Sequence, residues 1–438
     1  MTTAPRVPAA RRGRLPVEPA RWFRSPLRGP WLTSVFAAVL LVGIPVVSLT
    51  GLLSYAAYNP RLGNDQTPEA GLLRFYLFDW PTDPVWLYRL NQGLHVGLGL
   101  VLIPIVLAKL WSVMPKLVAL PPFRSPAQLL ERLSLVLLVG GIVFELVTGV
   151  LNVQSWYVFG FSFYTAHLYG AWVFLAAFVV HVGIKLPTML RSLRSRNLRA
   201  ELRTPLRDTR PEPQPVDDRG TSELIAPEPA PPSLSRRGLL GVVGGSSLLL
   251  AVTSVGQTVD PLRRLALLAP RGRDYGPGPN DFQVNKTAAS VGITDDRTGA
   301  SWRLTVAGGP GRLVLTREDL LAMPQHTYEL PISCVEGWST TQTWTGVRLR
   351  DLAARAGVVL DHPGVFVESL QGPGGFGAAG LSGDQVADRR TLLALRVNGA
   401  DLALDHGFPA RVIIPAAPGV LNTKWVTRLT FRTDPSDV

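Results

Sequence analysis

A single cysteine stands among the 438 residues, and only 17% of the chain is charged. One cysteine excludes a disulfide framework, a CxxC redox pair and any cysteine-rich zinc or iron–sulfur centre. The shortage of charge, beside 46% hydrophobic residues and a mean hydropathy of +0.19, is too apolar for an ordinary soluble chain. There is no internal repeat, and the Gly-rich stretches at 308–311 and 372–380 lack a phosphate-loop pattern. The net charge of +12 admits either nucleic-acid binding or basic loops flanking membrane spans. Where the charges lie decides between them.

Four apolar stretches fill the first half. Residues 29–60 are uncharged, 90–108 lie uncharged between Arg89 and Lys109, 133–153 hold only Glu145, and 146–184 are again uncharged. Each supplies the ~20 apolar residues that a spanning helix needs. A fifth run, Gly238–Val259, is weakened by glycine and serine and reads as a span or a buried hairpin, with the span favoured. The N-terminal tail carries seven arginines against Glu18. The 109–132 connection has four basic residues against one acid, and the 185–237 connection eleven against seven. The 56–91 loop has three basic residues against four acids. By the excess of Lys and Arg, the N-terminus and the even-numbered connections are cytoplasmic and everything after about residue 260 lies outside. The excess of +12 is thus a topology signal, because residues 258–438 contribute only +1, nineteen basic against eighteen acidic. No nucleic-acid partner is expected.

The predicted organisation is a basic tail (1–28), a four-span all-α membrane bundle (29–190), a Pro-rich cytoplasmic linker (191–234), a fifth span (235–259) and an exported domain (260–438) in a multi-pass cell-membrane protein. Eight prolines within 201–234 predict extended, unpacked chain there. The run Ser235-Arg236-Arg237-Gly238-Leu239-Leu240 at the head of the fifth span resembles a twin-arginine export signal.

Three of the six histidines, His95, His167 and His181, fall within spans, where ionisable side chains are costly and usually functional. His95 lies 14 residues before Lys109, and His167 lies 18 before Lys185, on spans running in the same direction. That places the two imidazoles at similar depth near the outer face, the geometry for holding one haem b. The spacing of His167 and His181 resembles two-haem b-type cytochromes, but Lys109 occupies the matching position on span 2. His181 is left with three readings: an inner-haem ligand, a wall of a quinone pocket, or a hydrogen bond within the bundle. Glu145 reads as a proton-handling group beside a quinone or as an interhelical hydrogen bond.

Residues 270–438 change character. Strand-like runs appear at 301–306, 312–316, 365–370, 411–414 and 425–432, with short helices between. Thr316 opens a capping-box-like start for 318–323, and an amphipathic helix over 347–355 ends near Gly357. The expectation is a mixed α+β domain. Its lone Cys334, in Cys334-Val335-Glu336-Gly337-Trp338-Ser339, reads about equally as a core residue or a functional ligand.

The neighbourhood of Cys334 resembles the sulfite-oxidase-type molybdopterin fold. The matching pieces run in order: Asn280-Asp281-Phe282-Gln283; the cysteine run with Trp344-Thr345-Gly346-Val347; Leu392-Leu393-Ala394 with Asn398-Gly399; His406-Gly407-Phe408-Pro409-Ala410-Arg411; and Gly419-Val420-Leu421-Asn422-Thr423-Lys424-Trp425. The resemblance implies an α+β molybdopterin-binding domain with Cys334 as the molybdenum ligand. Within the family the chain is most similar to the periplasmic methionine-sulfoxide reductase catalytic subunits. That similarity implies pterin contacts at Asn280, Gln283, Ser369, His406, Arg411, Asn422, Thr423 and Lys424. Val335-Glu336-Gly337 stands where sulfite oxidases have arginines, and Glu336 would repel an anion if it faced the pocket. Phe376 cannot be aligned with their metal-side tyrosine, and their C-terminal immunoglobulin-like domain has no counterpart. His326 and His362 read as ordinary hydrogen-bonders, and Trp338, Trp344 and Trp425 as packing residues.

The expected function is a membrane-bound Mo-molybdopterin oxidoreductase exchanging electrons with quinone through haem b and reducing a small S-oxide or N-oxide outside. The alternatives are sulfite-type oxidation with electrons passed inward, or a haem-free anchored enzyme fed by a separate partner. A non-enzymatic binding module ranks last.

Overall fold

The computed structural model describes residues 23–58, 77–118, 126–154, 156, 158–213, 224–359, 363–372 and 377–432. The helices, in chain order, are α1 (Pro30–Tyr58), α2 (Leu87–Leu117), α3 (Pro126–Val153), α4 (Phe163–Arg194), α5 (Leu198–Arg203), α6 (Arg236–Val255), α7 (Asp295–Thr298), α8 (Arg317–Ala322), α9 (Leu349–Arg355) and α10 (Gly383–Ala387). Five of them, α1, α2, α3 from Arg132, α4 and α6, are long and apolar enough to cross a membrane. The fifth apolar run is therefore one helix and not a hairpin. Large apolar side chains such as Val42, Leu107, Val136, Val179 and Leu248 are exposed along these helices, a surface suited to lipid.

The chain divides into two compact units. One holds residues 1–41, 104–140 and 176–246, and the other 42–103, 141–175 and 247–438. In the first, Trp31, Leu32, Phe36, Ala108 and Val243 form the core. The Pro-rich segment, expected to be unpacked, makes contacts within this unit through Glu201, Arg210 and Glu212 of its described part. Glu212 is buried and accepts from the backbone N–H groups of Trp31 (2.8 Å) and Leu32 (3.2 Å). Those are orphan donors of the first turn of α1, so a carboxylate from the Pro-rich segment caps this helix. Arg236, from the arginine pair, is also buried here. It pairs with Glu201 at 3.2 Å and donates to the Arg210 carbonyl at 2.8 Å. Proline-rich composition raises the odds of extended chain, but these two charge-assisted anchors offset the ordering cost.

The second unit holds two five-stranded sheets. The strands are β1 (Leu304–Ala307), β2 (Leu313–Leu315), β3 (His326–Ser333), β4 (Ser339–Arg348), β5 (Gly364–Ser369), β6 (Ala378–Leu381), β7 (Leu392–Val397), β8 (Ala400–Asp401), β9 (Arg411–Ile413) and β10 (Val426–Arg432). One sheet runs β2-β1-β10-β5-β6, with β1 and β10 parallel; the other runs β3-β4-β7-β8, with β9 also on β7. Val306, Val347, Leu352, Val367, Leu393, Val412 and Leu429 lie in one continuous core. The capping box at Thr316 forms with Asp319 and starts α8 one residue earlier than expected. Residues 347 and 348 belong to β4, so the following helix starts at Leu349, and Gly357 closes the segment at φ +69.

Candidate active site around Cys334

Strands β3 and β4 pair in register from His326↔Gly346 to Ser333↔Ser339, leaving five residues, 334–338, as the hairpin tip. Cys334 is the first of them. Its N–H donates to the Trp338 carbonyl (2.9 Å), and its carbonyl accepts from Gly337 N–H (3.0 Å). Gly337 sits at φ +90, and a Cβ there would come within 2.8 Å of both Val96 and Gln257. Only glycine closes this turn. A parallel bridge from Ser333 to Pro418 brings the 418–424 segment alongside.

The result is a small pocket lined by Phe282, Gln283, Cys334, Trp338, Arg411 and Lys424 among others. Four of the sequence-predicted residues thus converge: Gln283, Cys334, Arg411 and Lys424. His406 stacks on Phe282 with ring centroids 3.7 Å apart, and its Nε2 donates to the Asn280 carbonyl at 2.8 Å. Three buried polar atoms in this cluster have no partner among the described residues: Gln283 Oε1, His406 Nδ1 and Arg411 Nε. Gly407, at φ +106, packs closely on Lys424 and Arg411, whose Cβ atoms would lie 3.1 and 3.2 Å from a Cβ placed there.

The other expected contacts are spent on protein. The Asn280 side chain bridges the Asp401 carbonyl and Ala403 N–H. Asn422 Oδ1 accepts from Ile414 N–H (2.8 Å), Thr423 Oγ1 donates to the Leu421 carbonyl, and Ser369 Oγ donates to the Lys424 carbonyl (2.7 Å). These side chains shape the walls, and Ser369 holds the backbone of Lys424. His362 and Phe376 lie outside the described residues. His326 bonds Arg348 at 2.7 Å, and Trp338, Trp344 and Trp425 are buried with their indole N–H groups donating to protein acceptors.

The electrostatics are lopsided. Arg411 is buried with one hydrogen bond, to the His406 carbonyl at 3.3 Å, and burial pushes its guanidinium down to about 9. Lys424 donates only to the backbone carbonyls of Lys286 and Asp405, and burial, then Arg411, lower its ammonium well below the usual lysine range. Neither donates to a carboxylate among the described residues. Buried cations that donate to no carboxylate are expensive, and the Asp405 charge offsets the cost of Lys424 only in part, so the pocket suits an anionic ligand. Glu336 does not line it. Its carboxylate pairs with Arg271 (2.5 and 2.9 Å) and accepts from Trp338 Nε1 (2.7 Å), which neutralises the feared repulsion. Arg271, 65 residues away, has no signal in the sequence. Burial raises the Cys334 thiol above its ordinary range, with Glu336 the next cause. A bound metal would hold it as thiolate.

A second cluster lies in the same unit. His95 Nδ1 donates to the Val47 carbonyl (3.0 Å), and His167 Nδ1 is held by Thr148 Oγ1 (2.9 Å) and Glu145 (3.1 Å). The two rings stand 6.2 Å apart at 89°. α1 and α3 pass them at Gly51 and Gly149, where a Cβ would lie 3.0 and 3.5 Å from the respective imidazole Cε1. His181 belongs to the other unit.

Residues 291–438 match the family described as "Oxidoreductase molybdopterin binding domain". Mitochondrial sulfite oxidase of Mus musculus is 33% identical over 185 residues, covering 36% of this chain and 33% of that protein. The uncharacterized oxidoreductase YuiH of Bacillus subtilis (strain 168) is 33% identical over 132 residues, covering 30% of this chain and 65% of that protein. Among solved structures, the sulfane dehydrogenase SoxCD of Paracoccus pantotrophus is 27% identical and covers 31% of this chain and 39% of that one, at a TM-score of 0.29. The chain spans about a third of the length of the sulfite oxidase it matches.

Proposed function

We propose that this chain, whose residues 291–438 match the molybdopterin-binding oxidoreductase domain, couples a membrane haem b to a molybdenum site and reduces a small S-oxide or N-oxide outside the membrane. The observation that carries the catalytic half is the pocket itself. Cys334 shares it with Arg411 and Lys424, two buried cations whose hydrogen bonds among the described residues go to backbone carbonyls. The cysteine supplies a soft thiolate for molybdenum. Arg411 and Lys424 would hold the pterin phosphate, and the open acceptors on His406 Nδ1 and Gln283 Oε1 would take N–H donors of the pterin. When bound, the cofactor supplies two-electron oxygen-atom transfer; the protein supplies ligation, orientation and a pocket shielded from water.

The membrane half rests on His95 and His167. With each Nδ1 hydrogen-bonded, the Nε2 atoms are the available ligand positions, and the bonds fix ring orientation. Two imidazoles sharing one metal at about 2 Å from each nitrogen place ring centroids roughly 6 Å apart, the spacing seen here. Quinol is the proposed electron donor, and Glu145 supports His167. The excess of basic residues in alternate connections supports a cytoplasmic N-terminus and an outward catalytic domain.

Similarity to the methionine-sulfoxide reductase subunits in Cys334-Val335-Glu336 favours the reducing direction. The opposite direction, oxidation of an oxyanion such as sulfite, is favoured by one observation: the positive pocket and the cancelled charge of Glu336 would admit an anion. Metal and pterin analysis with an optical redox titration of one purified sample tests the cofactors. Turnover assays with S-oxides and with sulfite on that sample then separate the directions. Protein containing neither molybdenum nor a b-type spectrum would sink the proposal.

A further inference from the structure

The outer turns of α2 touch both proposed redox sites. Gln92, three residues before His95, donates its amide to the Val335 carbonyl at 2.7 Å, and Val335 follows Cys334 directly. Val96, the residue after His95, lies against Gly337, the third residue after Cys334. Gln92 is itself buried and held, its Oε1 accepting from Ser54 Oγ at 2.9 Å. The same loop is gripped on its other side by the segment after α6. Thr258 Oγ1 donates to the Gly337 carbonyl (2.7 Å), and the Gln257 carbonyl accepts from Ser339 N–H (2.8 Å). Arg89, one turn earlier on α2, clamps the Thr258 carbonyl and Thr341 Oγ1.

A helix used only as an anchor has no need of a buried amide aimed at the residue beside the sole cysteine. We propose that Gln92 is a positioning residue with two linked roles: it holds the Cys334 loop from the membrane side, and its hydrogen bond to Val335 is the contact across which electrons pass between the His95 and Cys334 sites. The inference rests on the haem reading above. With both groups bound, each passage would take one electron from the haem held by His95 and His167, oxidising it from ferrous to ferric, and deliver it to the molybdenum held by Cys334.

The test uses full-length membrane protein and needs no substrate. The haem is reduced by a flash with photoexcited deazaflavin, and loss of the ferrous absorbance reports equilibration with the molybdenum site. Gln92→Leu is expected to slow that decay roughly tenfold with the haem spectrum intact. Gln92→Glu, equal in length but presenting an acceptor to a carbonyl, is expected to do the same. Thr341→Val, which removes an Arg89 contact at the same junction but none at the cysteine loop, is expected to match wild type. In protein produced without molybdenum, Gln92→Leu is expected to speed alkylation of Cys334 by N-ethylmaleimide several-fold. Wild-type decay in a haem-bearing Gln92→Leu protein, equal slowing by Thr341→Val, or an unchanged alkylation rate would each overturn the inference. A wild-type protein without b-type absorbance would overturn the haem reading itself, which is a different result.

Discussion

The imidazoles of His95 on α2 and His167 on α4 stand 6.2 Å apart, centroid to centroid, with planes at 89°. Two rings sharing one iron at this angle give a strongly anisotropic low-spin ferric signal. Purified protein is therefore expected to show such an electron paramagnetic resonance spectrum together with b-type absorbance. His95→Ala and His167→Ala should each abolish both. Glu145→Gln should keep the haem but raise its potential, because it replaces the carboxylate beside His167 with a neutral amide. A Glu145→Gln protein with a lowered potential would contradict the assigned hydrogen bond.

Arg411 is expected to give opposite signs for stability and cofactor retention. Its guanidinium is buried, Nε lacks a partner, and only the His406 carbonyl accepts from it. Arg411→Met should therefore stabilise cofactor-free protein by about 1–3 kcal/mol, since an unpaired buried cation is exchanged for an apolar side chain of similar length. The same change should weaken pterin retention roughly tenfold or more, the loss expected of one charge-assisted contact. Thermal unfolding of cofactor-free protein and molybdenum content after purification check the two halves. A loss on both counts would mean that Arg411 serves the fold.

The sequence revealed some of this architecture and hid the rest for identifiable reasons. Uninterrupted apolar runs announce α1 to α4 because a bilayer core demands length and little else. The weaker α6 was ambiguous because its glycines and serines suit a helix interface as well as a hairpin; Ser247 in fact donates to the Val101 carbonyl at 2.9 Å. Strands β3 and β4, which carry Cys334 at their tip, leave no clear mark in the sequence. Pro331 argues against a strand unless it lies at an edge, where β3 does lie, and the Thr- and Gln-rich β4 lacks clean alternation. Cys334, Arg411 and Lys424 were legible through local motifs, whereas Gln92 and Arg271 reach the cysteine loop from distant segments that no local pattern marks. Ser369 and Asn280 read as pterin contacts in the sequence, but their side chains are taken by backbone groups.

His406 makes the cofactor-free domain acid-sensitive. Burial, reinforced by Arg411 and Lys424, depresses its imidazole from 6.5 to about 3. A histidine kept neutral in the fold but free to protonate when unfolded lets the unfolded state bind the extra proton first. Its contribution is fully present above pH 6.5 and is lost as pH falls towards 3. The full loss is on the order of 5 kcal/mol. Replacing it, as in His406→Gln, should flatten the stability profile across that window while leaving higher pH unaffected. Denaturant melts at a series of pH values, read by tryptophan fluorescence, would show it. An unchanged slope would place the acid sensitivity elsewhere.

Arg271 and Glu336 offer the last test, and it separates structure from charge at the cysteine loop. Glu336 is buried and accepts from Arg271 and from Trp338 Nε1, two residues from Cys334. Removing Arg271 strands a buried carboxylate, so Arg271→Ala should destabilise the protein by about 3 kcal/mol. Neutralising the partner as well, in Arg271→Ala with Glu336→Gln, should restore much of that loss, since an amide can still accept from the Trp338 indole. If Glu336 also limits which molecules reach the pocket, anions should bind the single Arg271→Ala variant less well than the double variant, while neutral S-oxides bind both alike. Equal anion affinity in the two proteins, with the stability difference intact, would confine the pair to holding the loop.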